Sequence, residues 1–283
     1  MQLINPIFLL GTQRSGTTLL TRILSAHSGL YIQNELPMQG LFDAPMDKKI
    51  LLERFTQSIT RIHKKQLSIE ENKELRWGLK DPLLTYQLEH LATYFPASKY
   101  ILIVRDGRGV VNSYMDNRWG LGTNVFTGAQ RWKEEIQLQT EFAKRFKDNC
   151  LSIRYEDLIS DLESTLISIC AHLEITYDSA MLSYHKAPME FDDNRENRNT
   201  QKAPDKKLGQ KWRDILTSRQ IGIIEYVAGK ELENYGYQHE GEKVTPSYLE
   251  VAYYRLHQAI KGELQLQYQL KLRHKLKKLG WVK

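Results

Sequence analysis

Hydrophobic and polar positions alternate between two rhythms along the first 175 residues of the chain. Ile7 to Leu10 is an unbroken apolar run that stops against Gly11, and beyond the glycine-rich stretch Leu20, Ile23, Leu24 and His27 recur at helical spacing. This order predicts a buried strand, a tight loop and a helix. Trp77 to Leu79, Tyr100 to Val104 and Leu151 to Ile153 are further short apolar runs suited to buried parallel strands. Helical spacing marks Lys49 to Lys65, Leu83 to Phe95, Gly109 to Asn117, Gly128 to Lys147 and Leu158 to Leu173. Strands alternating with helices imply an α/β fold, a doubly wound parallel sheet of P-loop type flanked by helices, with its ligand at the carboxyl ends of the strands.

The rhythm is lost from Ala187 to Leu208, a polar, proline-bounded stretch that reads either as a surface loop or as an active-site lid. Beyond it, Pro246 divides residues 1–245, the main domain, from a C-terminal basic helical extension, residues 246–283, whose helix is expected over Tyr248 to Leu279.

Charge sharpens this division. The 283 residues carry a net charge of +6, and from Val251 onward eight basic residues face Glu263 alone. The main domain is therefore close to neutral, and the high pI does not mark the whole protein as a nucleic-acid binder. The extension could pack on the domain, associate with another helix or contact an anionic surface. Cys150 and Cys170 lack the spacing of a disulfide or zinc framework and read as packing residues. Met1 to Pro6 carries no positive charge and the apolar run after it is too short for a signal core or a membrane span, so a cytoplasmic protein is expected.

The chemistry is concentrated in the loop after the first strand. Gly11 to Thr18 reads GTQRSGTT, with Ser15, Gly16, Thr17 and Thr18 small enough for successive backbone N–H groups to converge on a phosphate at a helix amino terminus. Thr17 occupies the position at which a nucleotide-hydrolysing P-loop has lysine. Without that lysine, transfer of a doubly charged γ-phosphoryl group loses its main protein-borne cation. Arg14 places its charge earlier, where a guanidinium can fork onto a 5′-phosphate. Such a loop suits a donor whose transferred group carries less charge and needs no metal, and a sulfuryl group meets that description.

YILIVRDGRGVVNSYM, Tyr100 to Met115, supplies a second anion site: a strand ending in Arg105, a turn with Gly107 and Gly109, and a helix bearing Ser113. Two separate anion sites imply a donor with two separated phosphates. A simpler reading of this segment alone is a capping Asp106 beside a salt-bridged Arg105.

Together, TQRSGTT and VRDGRGVVNS resemble the two cofactor signatures of the sulfotransferase family, whose donor is 3′-phosphoadenosine 5′-phosphosulfate. WGLKDP, Trp77 to Pro82, is similar to the family's strand-end lysine motif, and SIRYEDLI, Ser152 to Ile159, to its tyrosine-bearing segment. The layout is nearest to tyrosylprotein sulfotransferases and related bacterial enzymes. The resemblance implies that Glu35, in NELP, is the general base, that Lys80 meets the bridging oxygen, and that Arg14 holds the 5′-phosphate and sulfuryl oxygens. It further implies that Arg105 and Ser113 select the 3′-phosphate, that Tyr155 contacts the adenine and that no metal takes part. Lys206, Lys207 and Arg213 would close over the 3′-phosphate by looser analogy. The acceptor would be a hydroxyl of a peptide tyrosine, a glycan or a small molecule, with no nucleic acid involved. One departure stands out: the tyrosylprotein group has a serine just before a Lys-Trp pair, whereas Gly209 and Gln210 precede Lys211 and Trp212. Two other readings remain open at this point, a P-loop small-molecule kinase and a non-catalytic nucleotide- or polyanion-binding module.

Overall fold

A computed structural model describes residues 2–63, 76–186 and 198–272. The chain divides into two units, Met1–Val104 with Leu138–Lys206, and Arg105–Gln137 with Lys207–Lys283.

The first unit is built on a five-stranded sheet of order β2-β3-β1-β4-β5, every pairing parallel. Its strands are β1 (Gln2–Leu10), β2 (Leu30–Asn34), β3 (Arg76–Lys80), β4 (Tyr100–Val104) and β5 (Cys150–Arg154). Parallel strands need crossover connections, and the helical segments between them supply these: α1 (Thr17–Leu24), α2 (Lys48–His63) and α3 (Leu88–Tyr94). Residues of alternating parity feed opposite faces. Ile7 and Leu9 join Ile101, Ile103, Leu20, Ile23 and Leu24 in one fully buried cluster. Phe8 turns the other way, stacking on Tyr100 at 5.5 Å and tilting against Phe95 at 5.4 Å. A strand buried on both faces has no polar side, which is why Ile7–Leu10 of β1 and the whole of β4 read as unbroken apolar runs.

The second unit contains α4 (Gly107–Asn117) and begins α5 (Val125–Arg145). Its core gathers Val111, Phe126, Ala129, Trp212, Ile223 and Ile224. Buried within it, Arg108 pairs with Asp106 at 2.8 Å and Glu225 at 2.8 Å, donates to the Gln238 carbonyl and lies 4.3 Å over the Trp212 ring. A buried guanidinium is tolerated because its charge and its directed N–H groups are both met.

Several helix boundaries differ from those expected. The segment Leu83 to Phe95 opens with a 3₁₀ turn, Pro82–Gln87, before α3, because Asp81 caps it by accepting from the Leu83 N–H at 2.8 Å and Pro82 sits in its first turn. Leu158 to Leu173 falls into α6 (Tyr155–Ser160) and α7 (Leu162–Leu173), broken where Asp161 leaves helical geometry to cap the second helix. After α8 (Lys207–Gln210), the helix α9 (Ser218–Asn234) was unforeseen; a reciprocal cap between Thr217 and Gln220 starts it. The C-terminal helix begins at Tyr248, runs through two π turns and is described to Leu272. Positions 273–279 of the expected helix, and 187–197 of the expected loop or lid, lie outside the described residues.

Candidate active site

Sheet order brings the first group of residues together. Because β3 lies between β1 and β2, with Leu9 and Asn34 both in register with Lys80, whatever follows each strand meets at one end of the sheet.

After β1 the chain enters the glycine loop. A Cβ on Gly11 would lie 2.8 Å from the Ile103 carbonyl oxygen and 2.7 Å from Ser15 Oγ. Ser15 closes the turn by donating its N–H and its hydroxyl to the Thr12 carbonyl at 3.2 and 2.7 Å. Arg14 and Gly16 both have positive φ, 70° and 98°, and Gly16 turns the chain into α1. Glycine is required there twice over, since a Cβ would also come within 2.4 Å of the Tyr155 ring. Gly16 brings no capping side chain, and the first turn of α1 holds no acidic residue. A helix start with neither feature suits an external anion. Thr12 Oγ1 is buried within the same loop and, among the described residues, has no hydrogen-bond partner. This turn, closed to any larger side chain, has the chemistry of a cradle for the phosphate end of a nucleotide.

After β2 and β3 come Glu35 and Lys80. Lys80 Nζ is 2.6 Å from Glu35 Oε1 and 3.5 Å from Thr18 Oγ1, so one ammonium links the base candidate to the helix that follows the loop. The Lys80 side chain is fully buried and that of Glu35 is 55% exposed. A buried cation needs a counter-charge, and a half-exposed carboxylate supplies it while keeping an edge toward solvent. Glu35 adopts φ of 56°, and its backbone is pinned on both sides. Its N–H donates to the Lys80 carbonyl at 2.7 Å, Gln33 Nε2 donates to its carbonyl at 3.1 Å, and the Leu36 N–H donates to Asp81 Oδ2 at 3.2 Å.

Asp81 was not singled out from the sequence. It grips the segment after Glu35 with one oxygen and the turn after Lys80 with the other. Burial pushes its carboxyl up to about 6, and the Glu35 charge adds to the rise, against the pull of the two backbone N–H groups. The signal was present in LKDP, an Asp directly before Pro where a cap is expected.

Arg105, Ser113 and Lys207 belong to the second unit. Arg105 Nη2 donates to the Leu208 carbonyl at 3.0 Å, and a Cβ on Gly109 would sit 3.2 Å from its Nε, so the guanidinium lies along the first turn of α4. Ser113 is partly exposed on α4, and Lys207 is exposed at the start of α8. Asp106 does cap α4, accepting from the Arg108 N–H at 2.9 Å, and pairs with Arg108. Arg213 pairs with Glu240 and stacks on Trp212. Cys150 and Cys170 are both free thiols, and burial pushes that of Cys150 up to about 12, as befits a packing residue. Among the described residues no cluster of three or more His, Cys, Asp or Glu could hold a metal ion.

The sulfotransferase family model matches residues 6–179. Protein-tyrosine sulfotransferase A of Caenorhabditis elegans is 26% identical over 203 residues, 64% of this chain and 52% of that protein. Protein-tyrosine sulfotransferase 1 of Danio rerio is 25% identical over 198 residues, 64% of this chain and 56% of that protein, so the match spans little more than half of either relative. Among solved structures, the sulfotransferase domain from the curacin biosynthetic pathway superposes with a TM-score of 0.66 at 21% identity, covering 85% of this chain and all, 100%, of that one. Mouse sulfotransferase SULT7A1, solved in complex with PAP, gives a TM-score of 0.50 at 19% identity, covering 81% and 84%. At these identities the two structures speak for the fold.

Proposed function

The chain belongs to the sulfotransferase family, and from that premise we propose that it transfers a sulfuryl group from 3′-phosphoadenosine 5′-phosphosulfate to an acceptor hydroxyl by in-line displacement. The bond formed joins the acceptor oxygen to sulfur; the bond broken joins sulfur to the bridging oxygen of the 5′-phosphate. The observation that carries this reading is the 2.6 Å pair of Lys80 and Glu35 beside an uncapped phosphate cradle.

Each residue then has one task. Arg14, Ser15, Gly16, Thr17 and Thr18 hold the 5′-phosphosulfate end, and Tyr155, packed against Gly16, borders the adenosine. Glu35 takes the proton of the attacking hydroxyl through its exposed edge, a contribution of roughly 10²–10⁴ in rate for a positioned base. Taking up that proton neutralises the carboxylate that holds Lys80. The ammonium is then released toward the bridging oxygen at the moment negative charge gathers there, where a preorganised cation contributes on the order of 10²–10³. Arg105 and Ser113 take the 3′-phosphate, with Lys207 on the segment that Arg105 tethers through Leu208; this assignment rests on the VRDGRGVVNS motif. Thr17 in place of a P-loop lysine favours a group of lower charge than a γ-phosphoryl, so no metal is required.

Because its relatives are named protein-tyrosine sulfotransferases, a peptide tyrosine is the first acceptor to assay. Incubation with sulfur-labelled donor and a tyrosine peptide in the presence of a chelator is expected to label the peptide. If no hydroxyl acceptor, whether peptide, glycan or phenol, takes the label, or if ATP with Mg²⁺ supplies a phosphoryl group instead, the reading is overturned. On the same proposal the enzyme acts in the cytoplasm. Among the described residues no helix is long and apolar enough to cross a membrane.

A further inference from the structure

The C-terminal helix lies on the second unit with much of its polar face inward. Gln258 accepts from the Thr123 N–H at 2.8 Å and donates to the Gly120 carbonyl at 2.8 Å. Gln265 accepts from the Gly120 N–H at 3.2 Å, and Gln269 donates to the Arg118 carbonyl at 3.3 Å. Val251 and Tyr254 add the apolar part of this contact near the start of the helix. The seating is close: Gly120 has φ of 74°, and a Cβ there would lie 2.5 Å from the Gly262 carbonyl oxygen. The helix is thereby fixed in rotation as well as in position.

Its opposite face is consequently apolar and turned to solvent. Leu249, Tyr253, Leu256, Ile260 and Leu264 follow one another at helical spacing, and their exposures run from 56% for Ile260 to 78% for Leu249. Helices on a protein surface ordinarily do the reverse, burying leucine and exposing glutamine. A contiguous stripe of this kind marks a contact with something else. Its chemistry is indicated by the flanks. Arg255 and Lys261 border the stripe on either side, Lys271 follows it, and the sequence continues with Arg273, Lys275, Lys277, Lys278 and Lys283. A second copy of the chain seated on this face would bring two such basic stretches together, whereas a bilayer of anionic headgroups would neutralise them while its acyl boundary took up the leucines. Tyrosines, amphipathic and suited to the headgroup level, stand at Tyr248, Tyr253 and Tyr268.

We propose that the outward face of the C-terminal helix is a membrane-surface docking site that lays this enzyme on bilayers rich in anionic lipid. The inference uses no part of the sulfuryl-transfer reading and stands or falls separately from it.

Sedimentation of the full chain with vesicles tests it. Vesicles of phosphatidylcholine containing about a third phosphatidylserine are expected to carry the protein down, pure phosphatidylcholine vesicles to leave it in solution, and raised salt to release it. The exposed pair Leu256→Ser and Ile260→Ser is expected to weaken binding roughly 10- to 100-fold with an unchanged thermal melt. Failure to sediment with the anionic vesicles overturns the proposal. So does full binding by the double variant, which would leave simple attraction between charges. A dimer in analytical ultracentrifugation that the double variant dissociates would assign the face to a second copy and overturn it as well.

Discussion

Lys80 and Glu35 face each other at 2.6 Å across the ends of two neighbouring parallel strands, the cation wholly buried and the carboxylate half in water. Neither side chain can be changed without altering the setting of the other. Glu35→Gln is expected to lower kcat by roughly 10²–10⁴ and Lys80→Met by roughly 10²–10³. Because each acts through the other, the double variant should fall well short of the product of the two losses. Single-turnover transfer assays, with nucleotide binding measured by calorimetry as the check on folding, decide this; multiplicative losses would show that the residues act independently.

Asp81 sets a pH dependence of stability whose sign differs from that of an ordinary salt-bridged carboxylate. Its carboxyl is at about 6 in the folded chain against 3.8 for an unburied one. The folded state therefore holds the proton more tightly, and the stabilisation this gives is complete below about 4 and lost as pH rises through about 6. The largest effect is about 3 kcal/mol. Asp81→Asn should flatten the change in melting temperature between pH 4 and 6 relative to the parent chain. A variant whose melting curve still tracks the parent across that interval would remove Asp81 as the source.

Gly16 joins a left-handed backbone to a ring contact, and both forbid a side chain. Gly16→Ala should weaken binding of 3′-phosphoadenosine 5′-phosphate by at least about 10-fold, because the cradle must open to relieve the Tyr155 clash. Tyr155→Ala combined with Gly16→Ala should recover only the steric part of the loss. Equal affinity for parent and Gly16→Ala, measured calorimetrically, would refute the cradle.

Arg105 and Arg108 stand three residues apart and should fail in different ways. Arg108 is buried between two carboxylates, so Arg108→Ala leaves uncompensated charge and is expected to cost about 3–5 kcal/mol in denaturant melts. Arg105→Ala should leave stability nearly unchanged and weaken 3′-phosphoadenosine 5′-phosphate more than adenosine 5′-phosphate. Equal weakening of both nucleotides would withdraw the 3′-phosphate role.

What the sequence made legible follows from how local each signal is. β4 was readable to the residue because a strand covered on both faces leaves no polar interruption, and the glycine loop because its backbone demands are written in glycines. Glu35 and Lys80 could be named one at a time, yet nothing in the pattern of either segment states that β2 and β3 are neighbours; that adjacency is a property of sheet order. Asp81 escaped for a related reason, since half of its hydrogen bonding goes to a segment distant in sequence. α9 escaped because its core-facing Ile221, Ile223 and Ile224 are crowded together and blur the helical period, although Thr217 and Gln220 announced its start. The C-terminal helix was expected from its spacing, whereas its inverted seating depends on where Gly120 and Gly262 allow two backbones to touch.

Among the described residues β2 is an edge strand, paired with β3 alone. Glu35, the proposed proton acceptor, thus follows directly on an edge strand, while the lysine it opposes ends a strand paired on both sides. Gentle denaturation should therefore silence turnover before the interior melts, and amide exchange along Leu30–Asn34 should run ahead of that in Tyr100–Val104.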